Sequence, residues 1–281
     1  MPELPEVEVV RRGLEDHAVG RTFGAVEVLH PRAARGNAED LGEVLPGLKV
    51  TGTDRRGKFL WLTLSDGAAL VVHLRMSGQM RVGTPGAVTS PHARIRASLS
   101  ELELTFVDQR TFGSWQYVPL VTDPFAPSGR RIPATVTHVA PDPFEEGFDA
   151  VQVARALRRR KSAVKTVLLD QGLVSGIGSI YADEAMWAAG VKPTRRAASL
   201  RQRDAVRLVE ESREVMASAL EQGGTSFDSL YVNVNGASGY FSRSLNAYGR
   251  AGQPCHACGT LMRRVVVGGR SSHYCPACQI L

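Results

Sequence analysis

The stretch CHACGTLMRRVVVGGRSSHYCPAC, residues 255–278, contains all four cysteines of the 281-residue chain. They form two Cys-x2-Cys pairs, Cys255 with Cys258 and Cys275 with Cys278, separated by a 16-residue spacer. Each pair places two thiolates on one side of a metal, and four thiolates close a tetrahedral zinc site. The spacing therefore predicts one structural zinc ion, which orders a hairpin too small to bury a core of its own.

Two disulfides are the alternative use of four cysteines, and a reducing compartment disfavours them. The spacer contributes Arg263, Arg264 and Arg270 and no acidic residue. Gly268 and Gly269 directly precede Arg270, so the hairpin tip is shaped to enter a groove or to bind a phosphate. From the hairpin alone, a generic zinc ribbon that binds protein or RNA stays open. A site with four thiolates has no open position, so any catalysis must lie elsewhere.

The composition is that of a globular domain protein, with 43% hydrophobic and 22% charged residues. Its longest apolar runs, such as GAALVVHL at residues 67–74, are far too short to cross a bilayer, and no secretory signal pattern is visible. We therefore expect a cytoplasmic protein without a membrane partner. The net charge of +6 suits a polyanionic partner. A basic run lies between Arg155 and Lys165, although such a run is also typical of a solvated helix face.

The order of patterns along the chain predicts an α+β protein. Residues 5–17 have helical spacing, and residues 22–120 form short alternating stretches typical of an antiparallel sandwich or barrel. The segment 121–148 contains five prolines and is predicted to be a linker. Helical patterns then follow at residues 149–160, 163–171, 179–189 and 200–222.

Several motifs occur in the chain in a fixed order: PELPEVE (2–8), DRRGKFL (54–60), HLRMSGQ (73–79), DQRTFG (108–113), SGIGSIYADEA (175–185) and the four-cysteine hairpin. Together they resemble the formamidopyrimidine-DNA glycosylase family, bifunctional base-excision enzymes that remove 8-oxoguanine and ring-opened purines and cleave the abasic strand. The resemblance spans nearly the whole chain.

The resemblance implies a β-sandwich preceded by a helix, a helix–two-turn–helix domain and a C-terminal zinc finger hairpin, with double-stranded DNA between the lobes. We expect a catalytic domain over residues 1–130, a linker over 131–148, the helical domain with a lesion-capping loop over 149–250, and the zinc finger over 251–281. A monomer, associated with the nucleoid when bound to DNA, is expected.

Two alternatives stay open. The sister group of endonuclease VIII-like enzymes, which act on oxidised pyrimidines, shares this architecture. Its members typically begin PEGPE, whereas this chain has Leu4 in that slot and carries DQRTFG. These differences favour the purine branch. A catalytically idle protein that binds lesion DNA is the other alternative, and the presence of the family's catalytic residues argues against it.

The resemblance assigns the chemistry to Pro2, Glu3, Lys58 and Arg270. Removal of the initiator methionine would expose Pro2 as a secondary amine, and an α-amino group has a pKa near about 8, low enough for nucleophilic attack on the sugar C1′. Glu3 matches the family's proton donor, and Lys58 the lysine that contacts phosphate and assists β-elimination. Arg270 matches the residue assigned to δ-elimination. Glu6 is expected to support Glu3, and Glu8 to be a charge on the helix surface.

Base excision requires that the damaged base leave the stack and that its space be filled. The resemblance implies that Met76 fills the void, Phe112 wedges beside the opposite strand and Arg110 binds the orphaned cytosine. Further DNA contacts are implied for His73, His92, Arg160, Lys165 and Ser179. The lesion-capping loop is expected at residues 225–241, with Thr225, Ser226 and Tyr240 as candidate contacts.

Ser179 is a departure from the family, which has asparagine at this position in its Gly-Asn-Ile-Tyr motif. Serine caps a helix about as well as asparagine, so we expect the fold to be kept. The shorter side chain predicts a weaker or water-mediated phosphate contact.

Overall fold

The computed structural model of the protein describes residues 2–126, 129–224, 234 and 244–280. The chain divides into two compact units, Met1–His138 with Gly223–Tyr240 and Val139–Gln222 with Phe241–Leu281. Within the described ranges, no helix combines the length and the apolar character needed to span a membrane.

The first unit begins with helix α1, Leu4–Ala18, close to the predicted range of residues 5–17. Pro5 lies in its first turn, where the missing N–H has no intrahelical acceptor to lose. The apolar side chains that define the helical spacing, among them Val7, Val10 and Leu14, are all buried. Pro2 and Glu3 therefore precede the helix, as the sequence predicts.

Two antiparallel sheets follow α1. Their strands are β1 Phe23–Val28, β2 Val50–Arg56, β3 Phe59–Leu64, β4 Ala68–His73, β5 Gly78–Gly83, β6 Ala93–Leu99, β7 Leu102–Asp108, β8 Ser114–Thr122 and β9 Arg131–Pro133. One sheet has the strand order β1-β6-β7-β5 and the other β2-β3-β4-β8-β9. The short helix α2, Leu41–Val44, lies between β1 and β2 in the chain.

One hydrophobic core joins the two sheets and the helix. Leu62 and Val72 from one sheet, Ile95 and Phe106 from the other, and Leu14 from α1 belong to the same buried cluster. Two sheets that share a core in this way form a sandwich. The predicted β-sandwich preceded by a helix is therefore confirmed.

The chain between the sandwich and the helical region differs from the prediction in one detail. Arg131–Pro133, the first three residues of the predicted linker, form β9 and pair with the end of β8. The core also includes Val234, which lies within the segment predicted to belong to the helical domain. Its carbonyl accepts a hydrogen bond from the Val82 N–H at 3.2 Å. Sequence patterning missed β9 because Arg131–Pro133 is too short to show alternation, and it missed Val234 because that residue is far along the chain from the sandwich.

The second unit contains four α-helices in the described ranges, α3 Ala150–Arg158, α4 Val164–Leu168, α5 Ser179–Ala188 and α6 Gln202–Glu221. Helices α3 and α5 both pack against α6. A hairpin of β10, Arg263–Val267, and β11, Arg270–Tyr274, follows. Its two-residue turn, Gly268 and Gly269, has φ of +56° and +76°, which glycine adopts without strain.

Candidate active site and nucleic-acid interface

The start of α1 holds the predicted nucleophile and proton donor. Pro2 and Glu3 are both buried, Glu3 with 2% of its surface exposed. Glu6 lies one turn further along the helix, and its Oε2 accepts a hydrogen bond from the Glu3 N–H at 2.8 Å. Glu3 and Glu6 form a reciprocal capping box. Glu6 therefore fixes the backbone immediately after Pro2.

Lys58 lies in the tight turn between β2 and β3, next to Gly57, whose φ is +55°. This turn is buried, and Lys58 is only 9% exposed. The two arginines before the turn anchor it. Arg55 donates to Glu8 Oε2 at 3.1 Å and to the Gly57 carbonyl at 3.2 Å. Arg56 forms a buried, two-bond ion pair with Asp123.

The prediction that Glu8 is a surface charge is wrong. Its side chain is 11% exposed and accepts from Arg11, Arg12 and Arg55 at 2.8–3.1 Å. Burial alone would raise the pKa of the Glu8 carboxyl, but the hydrogen bonds and charges of these arginines outweigh it and lower the pKa to about 2. Through Arg55, Glu8 links α1 to the turn that carries Lys58.

The structure brings two of the three predicted void-filling side chains into contact and leaves all three accessible. Met76 and Phe112 are 38% and 40% exposed, a large fraction for apolar side chains. Arg110 is also exposed, and its Nη1 lies 3.5 Å from the Met76 sulfur. The guanidinium of Arg32 lies over the Phe112 ring, 5.5 Å from its centroid.

The void-filling residues lie in two loops, residues 74–77 between β4 and β5 and residues 109–113 between β7 and β8. Two residues that anchor these loops were not singled out from the sequence. Arg35 donates to the carbonyls of Phe112 at 2.6 Å and Gly113 at 2.9 Å. Asp108 is fully buried and accepts hydrogen bonds from both loops. An acidic residue at the head of DQRTFG, in a basic chain, was the available signal for Asp108. Nothing local in the sequence marks Arg35.

His73, predicted to contact DNA, lies at the end of β4 next to these loops. Its Nδ1 accepts the Arg75 N–H at 3.1 Å, which leaves the ring proton on Nε2. Burial, followed by the charges of Arg75, Lys58 and Arg35, lowers the pKa of His73 to about 3. At neutral pH, His73 can therefore offer a neutral N–H donor but no positive charge.

His92 lines a cavity of about 340 Å³ on the same unit. Its Nδ1 lies 3.3 Å from Arg94 Nη2, and its carbonyl accepts from the Asp108 N–H at 2.9 Å. The other polar residues that line the cavity are Ser77, Gln79, Arg81, Thr89, Ser90 and Gln109.

In the second unit, the structure contradicts the predicted DNA contact of Lys165. This side chain is fully buried, and its Nζ donates to Asp183 Oδ1 at 2.6 Å and to the Ser179 carbonyl at 2.8 Å. An ammonium group enclosed with its own carboxylate cannot reach a DNA phosphate. Ser179 is the first residue of α5, and Gly178 is the N-cap. The expected capping by Ser179 is therefore also wrong, because the chain enters the helix one residue earlier.

Arg160 and Arg270 are exposed, as a phosphate contact requires. Arg160 makes a long ion pair with Asp170 at 3.6 Å, which is weak at a surface. Arg270 starts β11 at the hairpin tip. The adjacent Gly268 packs against Thr166, whose Oγ1 would lie 2.9 Å from a Cβ at that glycine.

Two carboxylates of α5 that the sequence did not single out hold the hairpin and the segment that precedes it. Asp183 accepts from Ser272 and from the backbone and ring of His273. Glu184 accepts from the N–H groups of Asn246, Ala247 and Tyr248, each at 2.8 Å. Burial raises the pKa of Glu184.

The four cysteines form one cluster in which every pair of sulfurs lies within 4.8 Å. The Cys255–Cys278 and Cys258–Cys275 sulfurs are 4.0 and 3.5 Å apart, far longer than a disulfide bond of about 2.05 Å. Four sulfurs about 2.3 Å from a central ion have comparable separations. The cluster therefore fits one structural zinc ion, as predicted, and Trp187 donates to Cys255 at 3.4 Å. The predicted loop residues Thr225, Ser226 and Tyr240 lie outside the described residues.

Family models match three successive segments of the chain. They are the formamidopyrimidine-DNA glycosylase N-terminal domain over residues 1–115, the H2TH domain of the same family over 139–230, and the zinc finger found in FPG and IleRS over 252–280.

Curated relatives extend over the full length. A formamidopyrimidine-DNA glycosylase of Corynebacterium jeikeium is 58% identical and covers 99% of this chain and 100% of the relative. One of Mycolicibacterium smegmatis is 54% identical, covering 99% and 97%. A Lactococcus lactis FPG mutant in complex with Fapy-dG DNA superposes with a TM-score of 0.87 at 31% identity and full coverage of both chains. The MutM (Fpg) protein of Thermus thermophilus gives 0.85 at 36%, covering 99% and 98%.

Proposed function

Since the chain belongs to the formamidopyrimidine-DNA glycosylase family, we propose that it excises oxidised purines from duplex DNA and cleaves the resulting abasic strand. Its substrates are 8-oxoguanine and formamidopyrimidines, and it also acts on abasic sites. Solved complexes of the Lactococcus lactis relative contain Fapy-dG or abasic-site DNA, which supports this substrate class. The protein works as a cytoplasmic monomer on nucleoid DNA.

The observation that carries the proposal is the arrangement at the start of α1. Pro2 and Glu3 precede the helix instead of forming part of it, and the Glu6 carboxylate fixes the Glu3 N–H. The residue that becomes the amino terminus after loss of Met1 is therefore held next to a carboxyl group in a buried position. A helix start accounts for the capping box but does not require that Pro2 be buried.

The Pro2 nitrogen attacks C1′ of the damaged nucleotide and displaces the base, while Glu3 protonates the sugar ring oxygen. A secondary amine forms an iminium, which has no N–H proton to lose and stays cationic. This cation acidifies the neighbouring sugar carbon, so loss of a proton there expels the 3′ phosphate. Lys58 contacts phosphate and assists this β-elimination, and Arg270 holds phosphate during δ-elimination because its guanidinium stays protonated.

Met76, Arg110 and Phe112 stabilise the flipped-out state. Met76 and Phe112 expose apolar surface to water, and this surface becomes buried when the two side chains enter the space that the base has left. The contact between Arg110 and Met76 keeps a guanidinium beside that space, where it can bind the orphaned cytosine. His73, His92, Arg160 and Ser179 contact the backbone, and Thr225, Ser226 and Tyr240 cap the lesion.

Borohydride trapping tests the proposal. Reduction of the iminium joins protein to DNA, so we expect a covalent adduct with an 8-oxoguanine:cytosine duplex. No adduct with either this duplex or an oxidised-pyrimidine duplex would falsify the enzymatic function and favour a catalytically idle DNA-binding protein. Trapping with an oxidised-pyrimidine duplex alone would assign the chain to the endonuclease VIII-like branch.

A matched pair of variants assigns the adduct to the amino terminus. A chain extended by one residue before Pro2 lacks the free secondary amine and should give no adduct. Pro5→Ala removes the other proline of the motif and should trap like the wild type. Intact mass spectrometry of each protein establishes whether Met1 has been removed, and peptide mapping of the adduct should identify Pro2.

Ser179→Asn tests the phosphate contact at the start of α5. We expect the longer amide side chain to tighten binding to lesion DNA, measured by fluorescence anisotropy at matched low salt. Unchanged affinity would show that Ser179 does not lie at a phosphate.

A further inference from the structure

The loops that carry the void-filling residues are connected by one carboxylate. Asp108 Oδ1 accepts from the Ser77 hydroxyl at 2.5 Å and from the Arg110 N–H at 3.2 Å. Its Oδ2 accepts from the Gly113 N–H at 2.7 Å. Ser77 follows Met76, and Gly113 follows Phe112. Each void-filling residue is therefore within one position of an Asp108 hydrogen bond.

Asp108 is itself held in place by its backbone. Its N–H donates to the His92 carbonyl at 2.9 Å, and its own carbonyl accepts from Arg94 Nε at 2.8 Å. It is the last residue of β7, where it pairs with Gly78 of β5. The carboxylate thus projects from the end of a sheet, a more rigid support than a loop.

Both loops contain non-glycine residues in the left-handed region. Arg75, directly before Met76, has φ of +53°, and Thr111, between Arg110 and Phe112, has φ of +55°. Residues kept in this region require surrounding contacts that hold them there. The carboxylate of Asp108 supplies such contacts on either side of Thr111.

At two glycines, Gly78 and Gly113, the backbone next to these loops lies too close to its neighbours for any side chain. A Cβ at Gly78 would lie 2.6 Å from the Leu74 carbonyl oxygen. A Cβ at Gly113 would lie 2.5 Å from Phe106 Cζ and 2.8 Å from the His73 carbonyl oxygen. The loops are therefore packed in one arrangement, with Asp108 at their junction.

We propose that Asp108 is a positioning residue, which holds Met76, Arg110 and Phe112 in the orientation that replaces a flipped base before DNA binds. This inference rests on the proposed glycosylase function. Asp108 does not touch the reacting atoms in this scheme. It acts through the three side chains by removing the cost of ordering them during base flipping.

Asp108→Asn tests the proposal because it keeps the size of the side chain and replaces an accepting oxygen by an NH2 group. Two reactions are compared under single-turnover conditions: excision from an 8-oxoguanine:cytosine duplex and strand cleavage of a single-stranded oligonucleotide with a preformed abasic site. The second has no stacked base to displace. We expect excision to fall about tenfold or more and abasic cleavage to stay within about twofold of wild type. The ratio of the excision rate with cytosine opposite the lesion to the rate with adenine opposite it should also fall.

Two further variants accompany it. Ser77→Ala removes one of the hydrogen bonds and should lower duplex excision by a smaller factor, which keeps the test informative if Asp108→Asn folds poorly. Glu103→Gln makes the same acid-to-amide change on β7, where Glu103 pairs with Arg96, and should leave both reactions unchanged.

A parallel loss of both reactions, or no loss of excision, would overturn the proposal for Asp108. Failure of the proposed function itself is a different result. In that case the wild-type protein would neither excise 8-oxoguanine nor form a borohydride adduct.

Discussion

Asp108 in the first unit and Asp183 in the second are both fully buried carboxylates, but their donors differ. Asp108 accepts from a hydroxyl group and two backbone N–H groups, all of them neutral. Asp183 accepts from the Lys165 ammonium at 2.6 Å, from Ser272 and from His273. One carboxylate organises two loops, whereas the other joins helix α5 to the zinc hairpin.

The kind of donor determines what each carboxylate contributes. Neutral donors fix directions, so Asp108 determines where neighbouring side chains point. A buried ammonium and carboxylate each need the other, because a single charge left in the interior is far more costly than the pair. Loss of Asp183 should therefore affect folding first, and loss of Asp108 should affect excision first.

The largest effect is expected for Asp183→Asn. It leaves the Lys165 ammonium buried without a countercharge, and we expect the free energy of unfolding to fall by about 3–5 kcal/mol. Urea denaturation followed by tryptophan fluorescence measures this change. A matched double variant, Asp183→Asn with Lys165→Met, removes both charges and should recover part of the loss. Equal stability of the single and double variants would contradict a mutual charge requirement.

The next effect concerns Glu8, a third buried carboxylate, whose donors are all arginines. Its pKa is about 2 in the folded protein against 4.5 for the ordinary group. A lowered pKa stabilises the fold above pH 4.5, and this stabilisation is lost as the pH falls toward 2. The contribution is at most about 3 kcal/mol. We expect Glu8→Gln to flatten the fall in stability between pH 5 and 2.5, measured by urea denaturation at each pH. An unchanged pH dependence of stability in Glu8→Gln would contradict a lowered pKa of Glu8 in the folded protein.

Much of the fold could be predicted because its signals are local. Two Cys-x2-Cys turns define the zinc hairpin, and helix α1 follows from residues a few positions apart. The alternating stretches between residues 22 and 120 predicted most strands. Strand β9 could not be predicted, because Arg131–Pro133 is short, contains proline and is defined only by its pairing with β8.

The residues of the candidate site could also be predicted only where their signals are local. Met76, Arg110 and Phe112 are exposed, as their predicted contact with DNA requires. Lys165 and Glu8 were misjudged because burial of a charge depends on a distant partner. Asp183 lies 18 residues from Lys165, and Arg55 lies 47 residues from Glu8. Sequence spacing within a helix carries no information about such a partner.

A smaller loss of stability is expected for Asp108→Asn than for Asp183→Asn. The amide leaves at least one neutral donor without an acceptor, which costs about 2 kcal/mol. Urea denaturation under the same conditions allows direct comparison of the two variants. If Asp108→Asn lowered the free energy of unfolding as much as Asp183→Asn, the expected difference between the two carboxylates would be contradicted. Neutral donors would then contribute as much stability as a buried ion pair.

The smallest effect is expected at Thr111. Thr111→Gly places glycine where φ is +55°, which removes the clash of a Cβ in the left-handed region but also increases the freedom of the unfolded chain. We expect a gain of about 1 kcal/mol or less in the free energy of unfolding, with duplex excision lowered about twofold because the loop loses rigidity. Ser100→Gly is the matched control. Ser100 has φ of +53° in the exposed turn between β6 and β7, away from both loops, and its replacement should leave excision unchanged. If Thr111→Gly stabilised the protein and kept full excision, the left-handed backbone would contribute nothing to positioning, and the hydrogen bonds of Asp108 would suffice.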